Sequence, residues 1–186
     1  MLSKYENVKI AATAFKGLND ITLKGEIAVF GSTYMSSFPL YEFINKCQLE
    51  SAIYNRSIKG LTIDEALEIL KDCITAIAPK KLFISLGEED ENNPNAIKNY
   101  NTLIKRIQTE IPECNIFLIC LFGESEYVKN FNKNILSICD NKKIKQIQFV
   151  SPTLSDISIS KARFKQMSCF FRDKPLNMPE AFALAN

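Results

Sequence analysis

Five short apolar runs, rich in β-branched and aromatic residues, recur along the chain. They are Glu26–Phe30 (EIAVF), Ser51–Asn55 (SAIYN), Lys81–Leu86 (KLFISL), Asn115–Leu121 (NIFLICL) and Ile144–Val150 (IKQIQFV). Continuous rather than alternating apolar character is the pattern of strands buried on both faces, as in a parallel sheet. Between these runs, apolar residues return at helical spacing. In TIDEALEILKDCITAIA, Thr62 and Glu65 predict a capping box, and Ala66, Leu67, Leu70, Cys73, Ile74 and Ile77 form one apolar stripe. In NPNAIKNYNTLIKRIQTE, Asn93 is the expected cap and Pro94 the first helical residue, with Ile97, Tyr100, Ile104 and Ile107 turned to the sheet. SEYVKNFNKNILSICD repeats the spacing with Tyr127, Phe131, Ile135 and Ile138. Alternating strands and helices of this length predict right-handed crossovers and a doubly wound α/β fold. The expected architecture is a three-layer α/β/α sandwich around a five-stranded parallel sheet. No repeat, linker or low-complexity stretch interrupts it, so residues 1–186 read as a single domain. Residues 1–25 form a peripheral segment covering an edge or one end of the sheet.

Composition narrows the function. A chain of 186 residues is long enough to bury roughly 70% of its unfolded surface. Its 23 Lys+Arg against 21 Asp+Glu leave a net charge of +2, too balanced for a nucleic-acid partner. No apolar run approaches the roughly 20 residues of a membrane span, and MLSKYENVKIAATAF lacks the apolar core of a signal peptide. The six cysteines include no CxxC pair and sit mostly in apolar runs, which predicts core packing in a reducing, cytoplasmic setting. The decisive count is histidine: there is none. A Ser-His-Asp or Cys-His mechanism cannot run on this chain's own residues, and histidine-containing zinc sites are excluded.

In an open parallel sheet, ligands bind at the carboxyl ends of the strands, where strand order reverses. The first strand is followed by Gly31-Ser32-Thr33, the second by Asn55, Arg56 and Gly60, and the third by Gly87-Glu88-Glu89-Asp90. Three of the six glycines fall in these loops, where tight turns and close backbone approach are needed.

The segments IAVFGSTYM, IYNRSIKGLT, LFISLGEED and RDKPLNMPEAF together resemble the four motif blocks of the SGNH, or GDSL-type, hydrolases, in order and spacing, from about residue 26 onward. The resemblance implies a flavodoxin-like sandwich with strand order 2-1-3-4-5. It implies esterase, lipase or carbohydrate-ester deacetylase chemistry in intact members. The family's nucleophilic serine falls on Thr33 and the aspartate before it on Ser32. Its oxyanion-hole glycine falls on Gly60. In the GxND block, Gly87 and Asp90 keep their places, while the oxyanion-hole asparagine falls on Glu89. In the final DxxH block the aspartate falls on Asp173 and the histidine on Leu176.

These departures bear directly on chemistry. A threonine hydroxyl needs a base to take its proton, and leucine cannot be one. An ionised Glu89 would repel the oxyanion that an asparagine would stabilise. Removing such a donor alone costs about 3–4 kcal/mol. The expectation is therefore a catalytically degenerate SGNH-like protein, a pseudoenzyme that binds a small-molecule or carbohydrate-ester-like ligand, or a protein partner. No cofactor and no metal are expected. The acid run Glu88–Glu91 is read as preceding the helix that starts near Pro94, whose N-terminal dipole favours it, rather than as a cation site. The alternative is a carboxylic-ester hydrolase with an unconventional base, Asp173 or Glu89. Either requires Thr33, Gly60, Glu89 and Asp173 to converge on one cleft. Arg56 and Lys59, beside Gly60, are read as pairing with the acids or drawing an anionic ligand. Lys80 and Lys81 are read as solvated turn residues.

Overall fold

Strand alternation places two different sets of apolar side chains on the two faces of one sheet, and each set is covered by its own helices. The structure, a computed structural model, describes residues 4–45, 49, 51–139, 143–148 and 156–171. A first helix, α1 (Lys4–Leu18), precedes strand β1 (Ile27–Gly31) and two short helices, α2 (Thr33–Ser36) and α3 (Leu40–Ile44). Then follow β2 (Ile53–Asn55), α4 (Ile63–Cys73), β3 (Lys81–Ser85), α5 (Ala96–Glu110), β4 (Asn115–Ile119), α6 (Glu126–Ile138), β5 (Ile144–Ile147) and α7 (Asp156–Ser168).

All five expected strands form, all pairings are parallel, and the order is β2-β1-β3-β4-β5. β1 is flanked by β2 and β3, so strand order reverses beside it. Ala28, Phe30, Leu82, Ile84, Ile116 and Leu118 face one side, against α4, α5 and α6. Ile27, Val29, Phe83, Phe117 and Ile119 face the other, against Met35, Leu40, Phe164 and Phe171. Phe83 stacks on Phe117 at 4.6 Å between ring centres. Each fully buried phenylalanine of this kind contributes about 2–3 kcal/mol. No described helix is long and apolar enough to cross a membrane.

Local signals explain where the helices begin. Thr62 and Glu65 make the reciprocal box at the start of α4, each side chain bonded to the other's backbone N–H. Ser125 caps α6 through the Val128 N–H. α5 starts at Ala96, two residues later than the proline suggested. Asn93 instead accepts the Asn95 N–H and closes a local turn, and its amide reaches Asp64. The N-terminal segment is largely one helix. Val8 and Ala12 bury into the core beside α4, and the turn that follows reaches the edge strand, where the Leu23 N–H donates to Tyr54. Lys81 corrects the solvated reading: it opens β3, is 7% exposed, and donates to the Phe171 carbonyl at 3.1 Å.

Candidate functional site

β1 ends on Gly31 because nothing larger fits there: a Cβ would lie 2.8 Å from both the Ser85 carbonyl oxygen and the Met35 Cβ. The chain turns at Ser32, fully buried, whose N–H donates to the Ser85 carbonyl and whose own carbonyl accepts from Ser36. Thr33 thus starts α2 at the carboxyl end of the sheet, at the point of strand reversal.

The Thr33 hydroxyl donates to Glu89 Oε1 at 2.6 Å, and its oxygen accepts the Gly60 N–H at 2.9 Å. Gly60 presents that amide from a left-handed conformation, φ +78°, which favours glycine. Glu89 arrives from the turn after β3. Gly87, at φ +113°, leaves no room for a Cβ, which would lie 2.6 Å from the Phe131 ring. Three segments, following β1, β2 and β3, therefore meet on one hydroxyl.

The three neighbouring acids have different roles. Asp90, 1% exposed, accepts the Ile63 N–H with both oxygens at 3.1 and 3.2 Å, so it settles on the N-terminus of α4. Within the acid run it is Asp90 that holds a helix start, and that helix is α4 rather than the one after Pro94. Glu88 Oε1 accepts the Tyr34 N–H at 2.7 Å. The residue is exposed as a whole, yet its carboxyl leans onto the backbone of α2. The water it loses there raises its pKa. The Tyr34 amide opposes that rise, Glu89 adds to it, and the Thr33 amide and Ser32 hydroxyl oppose it more weakly.

Beside Glu88, the loop after β4 adds a cavity of about 290 Å³ whose walls include Glu88, Glu91, Glu124, Phe122, Tyr127 and Val128. Tyr127 is positioned by donating to the Gly87 carbonyl at 2.7 Å. Phe122 packs edge-on against Tyr34, and the Arg163 guanidinium lies 3.6 Å from its ring centre. Phe122 belongs to the loop after β4 and Tyr127 to the first turn of α6 that the loop leads into. Applying the same strand-end rule to LFGESEY would have found Phe122 and Tyr127.

Asn55 is a positioning residue. Its amide donates to the Met35 carbonyl and its oxygen accepts the Ser57 N–H, tying the turn after β2 to α2. Arg56 goes elsewhere: its side chain reaches Phe15 and Thr22, away from the acids, and Lys59 is exposed. Among the described residues, no group of three or more Cys, Asp or Glu is arranged to hold a metal ion.

A parallel sheet of order 2-1-3-4-5 with this arrangement of helices has counterparts among solved structures. A Streptococcus pneumonia protein provisionally described as a platelet activating factor superposes with a TM-score of 0.78 at 18% identity, covering 90% of this chain and 94% of the other. A GDSL-like lipase from Bacteroides thetaiotaomicron gives 0.63 at 12% identity, over 97% and 94% of the two chains. The chain has the SGNH hydrolase fold. A family 3 carbohydrate esterase from Clostridium thermocellum gives 0.63 at 15% identity, over 86% and 98%. No protein-family model and no curated sequence matches the chain.

Within the SGNH fold, the structure brings Thr33, Gly60, Glu89 and Ser32 together, with Gly87 shaping the turn and Asp90 anchoring it. Arg56 is not part of that group. Asp173 and Leu176, where the sequence resemblance places an acid and a histidine, lie outside the described residues. Phe38 and Phe171 belong to the core on the α7 side of the sheet.

Proposed function

We propose that this SGNH-fold protein is a ligand-binding module that has given up ester hydrolysis. The observation that carries the reading is the setting of Thr33: its proton points at a carboxylate, and the Gly60 amide already serves its oxygen. A tetrahedral oxyanion formed on Thr33 would lie next to Glu89, whose negative charge raises its energy. A single missing donor costs about 10²–10³ in rate, and an opposing charge costs more. The 2.6 Å bond to Glu89 also has the geometry of a nucleophile and its base, which favours the second reading, a hydrolase with Glu89 as proton acceptor. That reading still lacks the side-chain oxyanion donor, since Glu89 stands where the resemblance expects an asparagine.

The ligand is one rich in hydroxyl donors. Glu88, Glu91 and Glu124 offer acceptors, while Phe122 and Tyr127 offer flat apolar faces beside them. A sugar presents both kinds of surface, and one structural neighbour is named as a carbohydrate esterase. The test is an ester and acetyl-sugar hydrolysis screen of the full chain beside Thr33→Ala. The reading predicts equal, background rates for both proteins. Turnover well above background that vanishes in Thr33→Ala would replace it with the hydrolase reading.

A further inference from the structure

Arg56 is a cation 3% exposed to solvent, yet it forms no ion pair with any described carboxylate. Buried charges are normally paired, because leaving water costs several kcal/mol per ion. Its partners are neutral. One guanidinium nitrogen donates to the Phe15 carbonyl at 2.9 Å and another to the Thr22 hydroxyl at 2.9 Å. The Phe15 and Tyr54 rings lie 5.0 and 5.9 Å from its central carbon. The Phe15 carbonyl belongs to the last turn of α1, whose dipole supplies about half a negative charge. The remaining positive charge has no counter-ion among the described residues, and three of the five N–H donors have no partner there.

Arg56 lines a cavity of about 260 Å³ at the free edge of β2, with Leu18, Ile21, Tyr41 and Tyr54 among its other walls. Two tyrosine hydroxyls there are held as acceptors, Tyr41 by the Asn55 N–H and Tyr54 by the Leu23 N–H, both at 3.0 Å. Holding a hydroxyl through its oxygen leaves its proton free to donate. The lining thus has a guanidinium, two hydroxyl donors and no carboxylate, while Ile21 and Leu18 keep the rim apolar. Thr33, Glu88 and Glu89 do not line it.

We propose that this cavity binds a small organic carboxylate with an apolar body. The planar guanidinium fork takes the carboxylate, the Tyr41 and Tyr54 hydroxyls donate to it, and Leu18 and Ile21 cover the tail.

The test titrates the full chain with hexanoate while following arginine side-chain Nε–Hε NMR signals, of which this four-arginine sequence offers few. Hexanoate produces a saturable shift at Arg56. Hexanamide, equal in shape but uncharged, binds about tenfold more weakly or worse, as does inorganic phosphate, which has no tail. Ile21 is 80% exposed, so Ile21→Glu folds normally and weakens hexanoate about tenfold by placing a like charge at the mouth. Tyr41→Phe weakens it several-fold, a check that does not depend on Arg56, which also ties down α1. Equal binding of hexanoate and hexanamide, phosphate binding as tight as hexanoate, an unshifted Arg56 in the folded protein, or an Ile21→Glu variant that binds unchanged would each overturn the proposal.

Discussion

The carboxyl end of the sheet has two corners of opposite chemistry. Where β1 meets β3, acids gather: Glu88 on the Tyr34 amide, Glu89 on the Thr33 hydroxyl, Asp90 on the Ile63 amide. At the free edge of β2 the donors gather: Arg56 on the Phe15 carbonyl, with the Tyr41 and Tyr54 hydroxyls beside it. Asp90 and Arg56 obey one rule, with the anion at a helix start and the cation at a helix end. Glu88 follows the same rule on the short helix α2, whereas Glu89 meets a side-chain hydroxyl instead of a helix end. The comparison teaches that sequence neighbours in one loop divide into anchors and ligand-facing groups according to which backbone they meet.

The strongest way to break the acid corner alone is Gly87→Ala. The new Cβ meets the Phe131 ring in a backbone conformation that L residues rarely adopt, so urea unfolding should show a loss of about 3 kcal/mol or more. The Arg56 corner has no contact with that clash. If its arginine NMR signal changed as much as the signals near Thr33, the two corners would not be separate.

A finer cut divides adjacent carboxylates. Asp90→Ala removes a buried anchor of α4 and should cost about 1–3 kcal/mol, whereas Glu89→Gln keeps a hydrogen-bonding end and stays within about 0.5 kcal/mol. Similar losses for both, by the same unfolding measurement, would erase the distinction between anchor and ligand-facing acid.

The smallest effect is a pH slope. Glu88 has its folded pKa raised above the ordinary 4.5, so the folded state binds the proton more tightly than the unfolded chain does. The resulting stabilisation is present in acid below the ordinary value and is lost as pH rises through the raised one. Glu88→Gln should flatten this segment of the stability–pH curve, and Glu89→Gln should shift it partway by removing the neighbouring charge. A slope unchanged in Glu88→Gln would assign it to other groups.

Much of this was legible in the sequence for definite physical reasons. Short apolar runs rich in β-branched residues and bounded by turns fit buried strands, and the loops after them carry Thr33, Gly60 and Glu89 to one point once the strand order is set. The start of α5 is not legible in the sequence, because Pro94 looks like a first helical residue while Asn93 makes a turn of its own. The helix that Asp90 holds is hidden from the sequence, because its partner, Ile63, is 27 residues away and no local pattern encodes that pairing. Arg56 and Lys81 share the same difficulty. Each is a cation that leaves the surface to bond a distant carbonyl, Phe15 in one case and Phe171 in the other.

The central claim concerns the reactivity of one oxygen. Incubating the full chain with a fluorophosphonate and mapping adducts by mass spectrometry measures it directly, because that reagent needs both an activated hydroxyl and a stabilised oxyanion. Thr33 bonded to Glu89 and served by the Gly60 amide should carry no adduct after prolonged exposure. A stoichiometric adduct on Thr33 that disappears in Glu89→Gln would contradict the binding-module account and make Glu89 a catalytic base.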